Sequence, residues 1–400
     1  MPTRQEAPIN HAILEWARKQ TDFTHEQAVA RAGIKGLKRR GLTAEERLAK
    51  WESGQEKPTL NELELIAKAY RRPLLTFFLS EPPRIETRLQ DFRTVGDRPV
   101  AKSSPEFAAF RRQMEALQKT VRQLVEEEGG KPLEFIGSFH MNVAPSAIAQ
   151  AIRSEFQFSL GDQQQVQSSE ELFNTLRNKA DEAGIFVLRK ADLGSGYSKI
   201  SIEEFRGLVI SDPIAPFIVV NPSDARSALL FTLVHELAHL WLGESGISNF
   251  DALRIGPSNY QEREVFCNEV AAEFLVPETI LVNEWRRVIK GELEFTIQSL
   301  ADRFKVSRIV IARRLLDFQE ITRETYWELY NQWRDEWSIV RERQRNSEGG
   351  PGYFVITKSK LGSKLLNTVI GAVYDGRLSF RNAAKLLGIK VDYFSRFYEG

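Results

Sequence analysis

Cysteine and histidine are scarce in this sequence, and its positive and negative charges balance. The 400 residues contain one cysteine, Cys267, and five histidines. A single cysteine excludes an intramolecular disulfide and any metal site built from two or more thiolates, and it is typical of proteins of the reducing cytoplasm. Lys and Arg number 55 and Asp and Glu 54, so the net charge of +1 argues against attraction of the whole molecule to nucleic acid. A nucleic-acid site would have to be a local basic patch.

Long apolar runs are also absent. No stretch is apolar for long enough to cross a bilayer, and the polar N-terminus lacks the apolar core of a signal peptide. Hydrophobic residues nevertheless make up 42% and charged residues 27%, which is typical of a globular protein with buried cores. At roughly 100–200 residues per domain, we expect a cytoplasmic protein of two to four domains.

Glycine and proline signals divide the chain into five predicted segments. The first is helical, the second is a linker with a helical connector, and the third combines strand-like runs with two buried helices. A helical extension and a small C-terminal domain follow, and a short strand is expected at 353–356. In this order the five segments are 1–80, 81–168, 169–290, 291–348 and 349–400. We therefore expect an α+β fold with an all-α N-terminal domain.

The sequence His235-Glu236-Leu237-Ala238-His239 carries the strongest chemical signal. Two histidines four residues apart lie on one face of a helix and can share a metal ion, with the intervening glutamate close enough to act on a water there. The predicted helix, 221–243, is apolar nearly all round and should be buried, where unpartnered polar groups are costly. The alternative is a hydrogen-bonded pair of core histidines, but it leaves Glu236 without a role.

A catalytic zinc site of this kind needs a third protein ligand, with one position kept for water. Cys267 fits this role poorly, because such sites favour nitrogen or oxygen as the third donor. The remaining histidines lie far upstream, at positions 11, 25 and 140. A carboxylate is therefore favoured.

The predicted helix 262–276 offers four glutamates on two faces. Three of them form one stripe, typical of a solvated face: Glu262, Glu269 and Glu273. Glu264 lies on the opposite face with Asn268, Ala271 and Leu275, as a buried carboxylate that needs a cation. We therefore predict Glu264 as the third ligand, and Asn268, one turn later, as a partner that orients a metal ligand.

Two stretches resemble the ImmA/IrrE family of metallo-endopeptidases. They are PFIVVNPSDARSALLFTLVHELAHLWLG and EREVFCNEVAAEFLVP, and the resemblance covers about residues 170–280. It implies a zincin-like core with a small sheet over the HExxH helix, zinc ligands His235, His239 and Glu264, and catalytic Glu236. It also implies regulated cleavage of a repressor or antitoxin-like protein that controls transcription.

The N-terminal segment resembles the XRE (Cro-like) helix-turn-helix domain, through THEQA at 24–28 and WESG at 51–54 followed by Pro58-Thr59. Helices two and three are the DNA-reading unit in that family. Thr43 and Glu46 have the spacing of a capping box that opens the third helix. Residues 35–42 stand where the family has a tight turn.

Residues 1–80 hold 14 Lys/Arg and 10 Asp/Glu, a modest net charge of +4. The resemblance nevertheless implies DNA as a partner, with phosphate contacts predicted at Lys35, Lys38, Arg39, Arg40, Arg47 and Lys50. Alternatively, this is a solvated loop on a scaffold domain that binds protein or has lost DNA binding. The helix pairs at 299–318 and 379–397 are interpreted as packing or partner-binding helices.

These observations favour a zinc endopeptidase coupled to a DNA-binding domain. Tyr197 and Tyr260 are two of several candidates for a further stabilising donor, and the strand 216–220 would either pair with an extended substrate or lie inside the sheet. Two alternatives remain. One is a DNA-binding regulator with a structural or sensory zinc, against which Glu236 argues. The other is a toxin–antitoxin or phage-defence adaptor that acts by protein contact.

Overall fold

The computed structural model describes most of the chain: residues 6–21, 23–37, 41–83, 90–91, 94–95, 98–99, 103–194, 199–248, 262–288, 292–345 and 352–399. The chain forms two compact units, Met1–Thr87 with Val100–Met114, and Arg88–Pro99 with Glu115–Gly400. The five predicted segments are a finer division, which stays a prediction. No helix in the described ranges is both long and apolar enough to span a membrane.

The first unit is all-α. Its helices are α1 (His11–Lys19), α2 (His25–Ala32), α3 (Ala44–Glu52) and α4 (Leu60–Ala69), followed by a short 3-10 helix (Leu74–Phe78) and the beginning of α5 (Pro105–Glu127). Threonine caps α2, α3 and α4, and each cap forms a capping box with the residue three positions later, as predicted for α3. Trp51, Tyr70 and Phe77 are buried in the core of this unit.

The connection between α2 and α3 is longer than a helix-turn-helix turn. It runs from residue 33 to residue 43, and its described part holds a backbone pair between Leu37 and Leu42. Gly33 ends α2 in the left-handed conformation, φ +68°, which glycine adopts without a side-chain clash. This all-α arrangement is compatible with a helix-turn-helix domain that has an enlarged turn.

The second unit contains a mixed sheet in the order β1-β7-β5-β6-β4. Its strands are β1 (Gln90–Asp91), β4 (Phe186–Arg189), β5 (Gly207–Ile210), β6 (Phe217–Val220) and β7 (Gly246–Ser248), and the hairpin β2 (Thr94–Val95) and β3 (Arg98–Pro99) stands apart. β5 is antiparallel to both β6 and β7, whereas β4 is parallel to β6. Because β6 is paired on both sides, the suggestion that it pairs with an extended substrate is wrong.

Helices cover this sheet and extend beyond it, which makes the fold α+β with a zincin-like core. The helices preceding the first long strand are α6 (Pro145–Glu155), α7 (Leu160–Gln165) and α8 (Ser169–Glu182). Those after it are α9 (Arg226–Trp241), α10 (Glu262–Leu275), α11 (Glu278–Val288), α12 (Leu293–Phe304), α13 (Arg308–Asp317), α14 (Arg323–Arg345), α15 (Tyr353–Leu361), α16 (Ser363–Tyr374), α17 (Phe380–Leu387) and α18 (Val391–Glu399).

Helix α9 is the centre of the second unit. It packs against β5 and β6 and against α6, α8 and α10, so that every residue from position 229 to position 241 is buried. This confirms the expectation from its all-round apolar sequence. A polar side chain between positions 229 and 241 therefore faces protein in every direction and needs a partner there.

The C-terminal helices correct one expectation. Residues 353–356 were expected to form a strand, but they begin α15. The ring of Phe354 stacks on Phe397 with centroids 3.9 Å apart, and that of Tyr353 lies 4.3 Å from Tyr393. A short apolar run is compatible with either structure, and packing against α18 favours the helix here.

Candidate metal centre

Helix α9 brings two imidazoles together in the interior, with their rings in an edge arrangement. The Nε2 atoms of His235 and His239 lie 3.1 Å apart, which follows from their spacing of four residues on one helical face. The two residues are 3% and 1% exposed, so that water does not stabilise them. A neutral imidazole that carries no hydrogen on Nε2 offers a lone pair there to a metal ion.

The first turn of α10 adds a carboxylate to this pair. Glu264, 2% exposed, places Oε1 3.1 Å from Nε2 of His239 and Oε2 3.3 Å from Nε2 of His235. Within the part of the chain that the structure describes, His235, His239 and Glu264 form the one group of His, Cys, Asp or Glu side chains close enough to hold a metal ion. These are the three residues that the helical faces predicted, although their role as ligands stays a prediction.

The burial and the lowered pKa of Glu264 are those expected of a carboxylate that binds a cation. Both of its oxygens are buried and neither accepts a well-formed hydrogen bond, although the imidazoles lie within ion-pair distance. Burial alone would raise the pKa of Glu264, but the facing imidazoles of His235 and His239 lower it to about 2. Two imidazole nitrogens and a carboxylate are also the donor set of many catalytic zinc sites.

The outer nitrogens of both imidazoles face polar side chains, at hydrogen-bond distance for His235 and at ion-pair distance for His239. Asn268 Oδ1 lies 2.9 Å from Nδ1 of His235 and can only accept, so that Nδ1 carries the hydrogen and Nε2 of the neutral imidazole keeps its lone pair for a metal ion. Asn268 therefore occupies the orienting position predicted for it. Glu244 Oε2 lies 3.6 Å from Nδ1 of His239, and Arg263 in turn holds Glu244 at 3.2 Å.

Sequence reasoning missed Glu244, because the residue reaches the site through a turn. Gly243 adopts the left-handed conformation after α9, φ +72°, and the Glu244 amide then donates back to the carbonyl of His239 at 2.9 Å. A glycine shortly after the HExxH helix followed by an acidic residue was the signal that could have found it.

Glu236 lies beside the group without joining it. It is fully buried, and its Oε1 accepts a hydrogen bond from Ser248 Oγ at 2.5 Å, whereas Oε2 is buried with no hydrogen-bond partner. Burial raises the pKa of Glu236, and the neighbouring imidazoles only partly oppose this effect. One oxygen is thus anchored and the other is available to a proton.

Comparison with known families agrees with this geometry. Residues 180–316 match the family model of Peptidase M78, the IrrE N-terminal-like domain. Over these residues the chain is similar to the IrrE N-terminal-like domain. The match spans β4 to α13 and therefore contains every residue of the metal centre. It supports a metallopeptidase-type member of the ImmA/IrrE family. Searches of curated proteins and of solved structures gave no match.

Cys267 also lies in the IrrE N-terminal-like domain, one residue before Asn268. It is buried and outside the group that could hold a metal, which agrees with its rejection as a ligand. Burial raises the pKa of its thiol, so that Cys267 stays neutral. Tyr197 and Tyr260, the candidate stabilising donors, lie outside the described residues.

The predicted DNA contacts precede the IrrE N-terminal-like domain and differ from one another. Lys35 is exposed, and Lys50 lies 3.3 Å from Glu56. Arg47 is buried, and its guanidinium donates to Glu62 and to the carbonyl of Lys35. Its assignment as a phosphate contact is therefore wrong. The remaining three, Lys38, Arg39 and Arg40, lie outside the described residues.

Proposed function

We propose that this protein is a zinc-dependent endopeptidase. One observation carries the proposal: Glu236 stands beside the His235, His239 and Glu264 group with one buried oxygen free of any hydrogen bond. A site of this composition has three ligands for a metal ion and a separate general base. Metal-assisted peptide hydrolysis requires both.

Each residue of the site has a separate role in this proposal. His235, His239 and Glu264 would hold zinc, while Asn268 keeps the imidazole of His235 oriented and Glu244 lies within ion-pair distance of His239. Zinc held there would supply Lewis acidity and would lower the pKa of a water molecule to about 7. Glu236 receives a proton from the attacking water on Oε2 and passes it to the leaving amine. Burial strengthens each of these electrostatic interactions.

A structural or sensory zinc is less well supported. Structural zinc sites are closed by four protein ligands, whereas three donors converge here within the described ranges. Glu236 stands apart from the three and would have no purpose in a structural site. Its buried carboxylate costs free energy, and a catalytic role accounts for that cost.

We further propose that the N-terminal unit binds DNA and that the cleaved protein is a repressor or antitoxin-like regulator. The resemblance to XRE-type domains, the exposed Lys35 and the basic residues of the α2–α3 connection support DNA binding. The ImmA/IrrE resemblance supports the substrate class. Cleavage would then change transcription at the genes where the protein acts.

Metal analysis combined with partner capture tests the enzymatic proposal. Full-length protein should contain about one zinc per chain, and a captured partner should be cleaved before chelation, intact after it and cleaved again when zinc is restored. Captured partners that remain intact with zinc-loaded protein would contradict the proposal.

Gel-shift titration tests the DNA proposal separately. Full-length protein should bind DNA upstream of its own or a neighbouring gene, more weakly as salt rises. The double variant Arg39→Ala, Arg40→Ala should reduce the salt slope by about two. Absence of binding across this DNA region would favour a scaffold role for the N-terminal unit.

A further inference from the structure

Two neighbouring strands of the sheet contact the carboxylate of Glu236. Gly207 of β5 and Ser248 of β7 are direct antiparallel partners, and both contact this side chain. We propose that Ser248 is a positioning residue that holds Oε1 of Glu236 by a hydrogen bond and so presents Oε2 for proton transfer, with Gly207 giving the carboxylate room. The kinetic part of this inference rests on the proposed peptidase function.

The two oxygens of Glu236 have different surroundings. Oε1 accepts from Ser248 Oγ at 2.5 Å, in a place where Ser248 itself is only 4% exposed. Oε2 is equally buried and has no hydrogen-bond partner. A carboxylate fixed through one oxygen cannot rotate the other away, so that the anchored hydrogen bond defines which oxygen faces the reacting water.

Gly207 is needed because the carboxylate comes so close. A Cβ added at Gly207 would lie 1.9 Å from Glu236 Oε1 and 2.6 Å from its carboxyl carbon, distances that no real contact reaches. The φ of Gly207 is outside the left-handed region, so that steric space and not backbone freedom accounts for glycine. An alanine at this position would displace the carboxylate without touching its chemistry.

A purely structural role makes a different prediction from positioning. If Ser248 only satisfied a buried carboxylate, its loss would destabilise the fold while the folded fraction kept its full rate. If Ser248 positions the base, its loss lowers kcat while KM and zinc content stay unchanged, because its hydroxyl bonds Glu236 and is not part of the group that could hold the metal.

Kinetics on full-length protein separates these roles, with a random-sequence quenched fluorogenic peptide library as the probe. For a peptide that the wild type cleaves, Ser248→Ala should lower kcat by about 10- to 100-fold, with KM within about twofold. Ser248→Thr, which keeps the hydroxyl, should restore most of the rate. Ser245→Ala is the matched control, since it removes a neighbouring hydroxyl whose hydrogen bonds among the described residues are to the backbone of Ser211, and it should leave kcat unchanged.

Crystal structures of the metal-free proteins give a second measurement that does not depend on activity. Glu236 should occupy one orientation in the wild type and in Ser248→Thr, more than one in Ser248→Ala, and a displaced one in Gly207→Ala. A Ser248→Ala protein with wild-type kcat, or with Glu236 in its wild-type orientation, would overturn the inference. If the wild type cleaves no peptide, the peptidase proposal fails, and the crystal structures still decide whether Ser248 holds the carboxylate.

Discussion

Asn268 and His235 come from different helices and meet at 2.9 Å, between Oδ1 of the amide and Nδ1 of the imidazole. This contact fixes the ring so that Nε2 points at the carboxylate of Glu264, 3.3 Å away. Helix α10 thus supplies the carboxylate of Glu264 and also orients the imidazole of His235, since Asn268 follows Glu264 by one turn.

Loss of this orienting contact should weaken the metal site. Asn268→Ala should lower zinc affinity by about 10- to 100-fold, because the ring of His235 is then free to rotate and to change tautomer. Competition against a chelating dye measures the affinity. Glu269→Ala alters the exposed residue next to it and serves as the control, and equal losses in the two variants would contradict the assigned role.

Removal of the carboxylate donor should have a larger effect. Glu264→Ala protein should retain well under half a zinc per chain after dialysis, whereas Glu262→Ala, which changes an exposed glutamate of the same turn, should keep about one. Metal analysis measures both.

Chelation gives a second readout of the same prediction. Since zinc binds the folded state, chelation should lower the Tm of the wild type by several degrees and leave that of Glu264→Ala nearly unchanged. Full zinc occupancy in Glu264→Ala, or zinc loss in Glu262→Ala instead, would show that the other face of α10 binds the metal.

The first unit should respond to acid through Glu62. Burial would raise the pKa of Glu62, but hydrogen bonds from Thr59 and from the guanidinium of Arg47 lower it below the usual 4.5. The ionised carboxylate therefore stabilises the folded unit above pH 4.5, and this contribution is lost as the pH falls through the lowered pKa.

Hydrogen exchange of peptides covering 44–69 measures this loss. Between about pH 6 and pH 3, protection in the wild type should fall towards that of Glu62→Gln, a variant that keeps the capping geometry without the titration. A difference between the two proteins that stays constant over this range would contradict the assignment.

Much of the metal centre could be predicted from sequence because it is made of helical faces. His235 and His239 share a face through their spacing, and the period of α10 alone separates Glu264 and Asn268 from the stripe of the other glutamates. The capping threonines and the all-round burial of α9 follow from equally local rules.

The rest depends on contacts between distant residues. Gly207 and Ser248 meet Glu236 only because β5 and β7 pair in one register, and a slip of one residue would turn Ser248 to the other face. Arg47 is a basic residue in the predicted DNA-binding region, and the sequence alone does not show that it is paired. In the structure it donates to Glu62 on the next helix. Pairing of this kind has no signature in local periodicity.

Glu236→Gln tests the central claim most directly, because it keeps the shape of the side chain and removes its basicity. The variant should fold, retain about one zinc per chain and still capture the protein partner, while cleavage of that partner falls by about two to four orders of magnitude. Metal analysis and cleavage rates on the same preparation measure both. Cleavage at the wild-type rate by the zinc-loaded variant would contradict Glu236 as the base, and a wild-type response in cells would contradict proteolysis as the function.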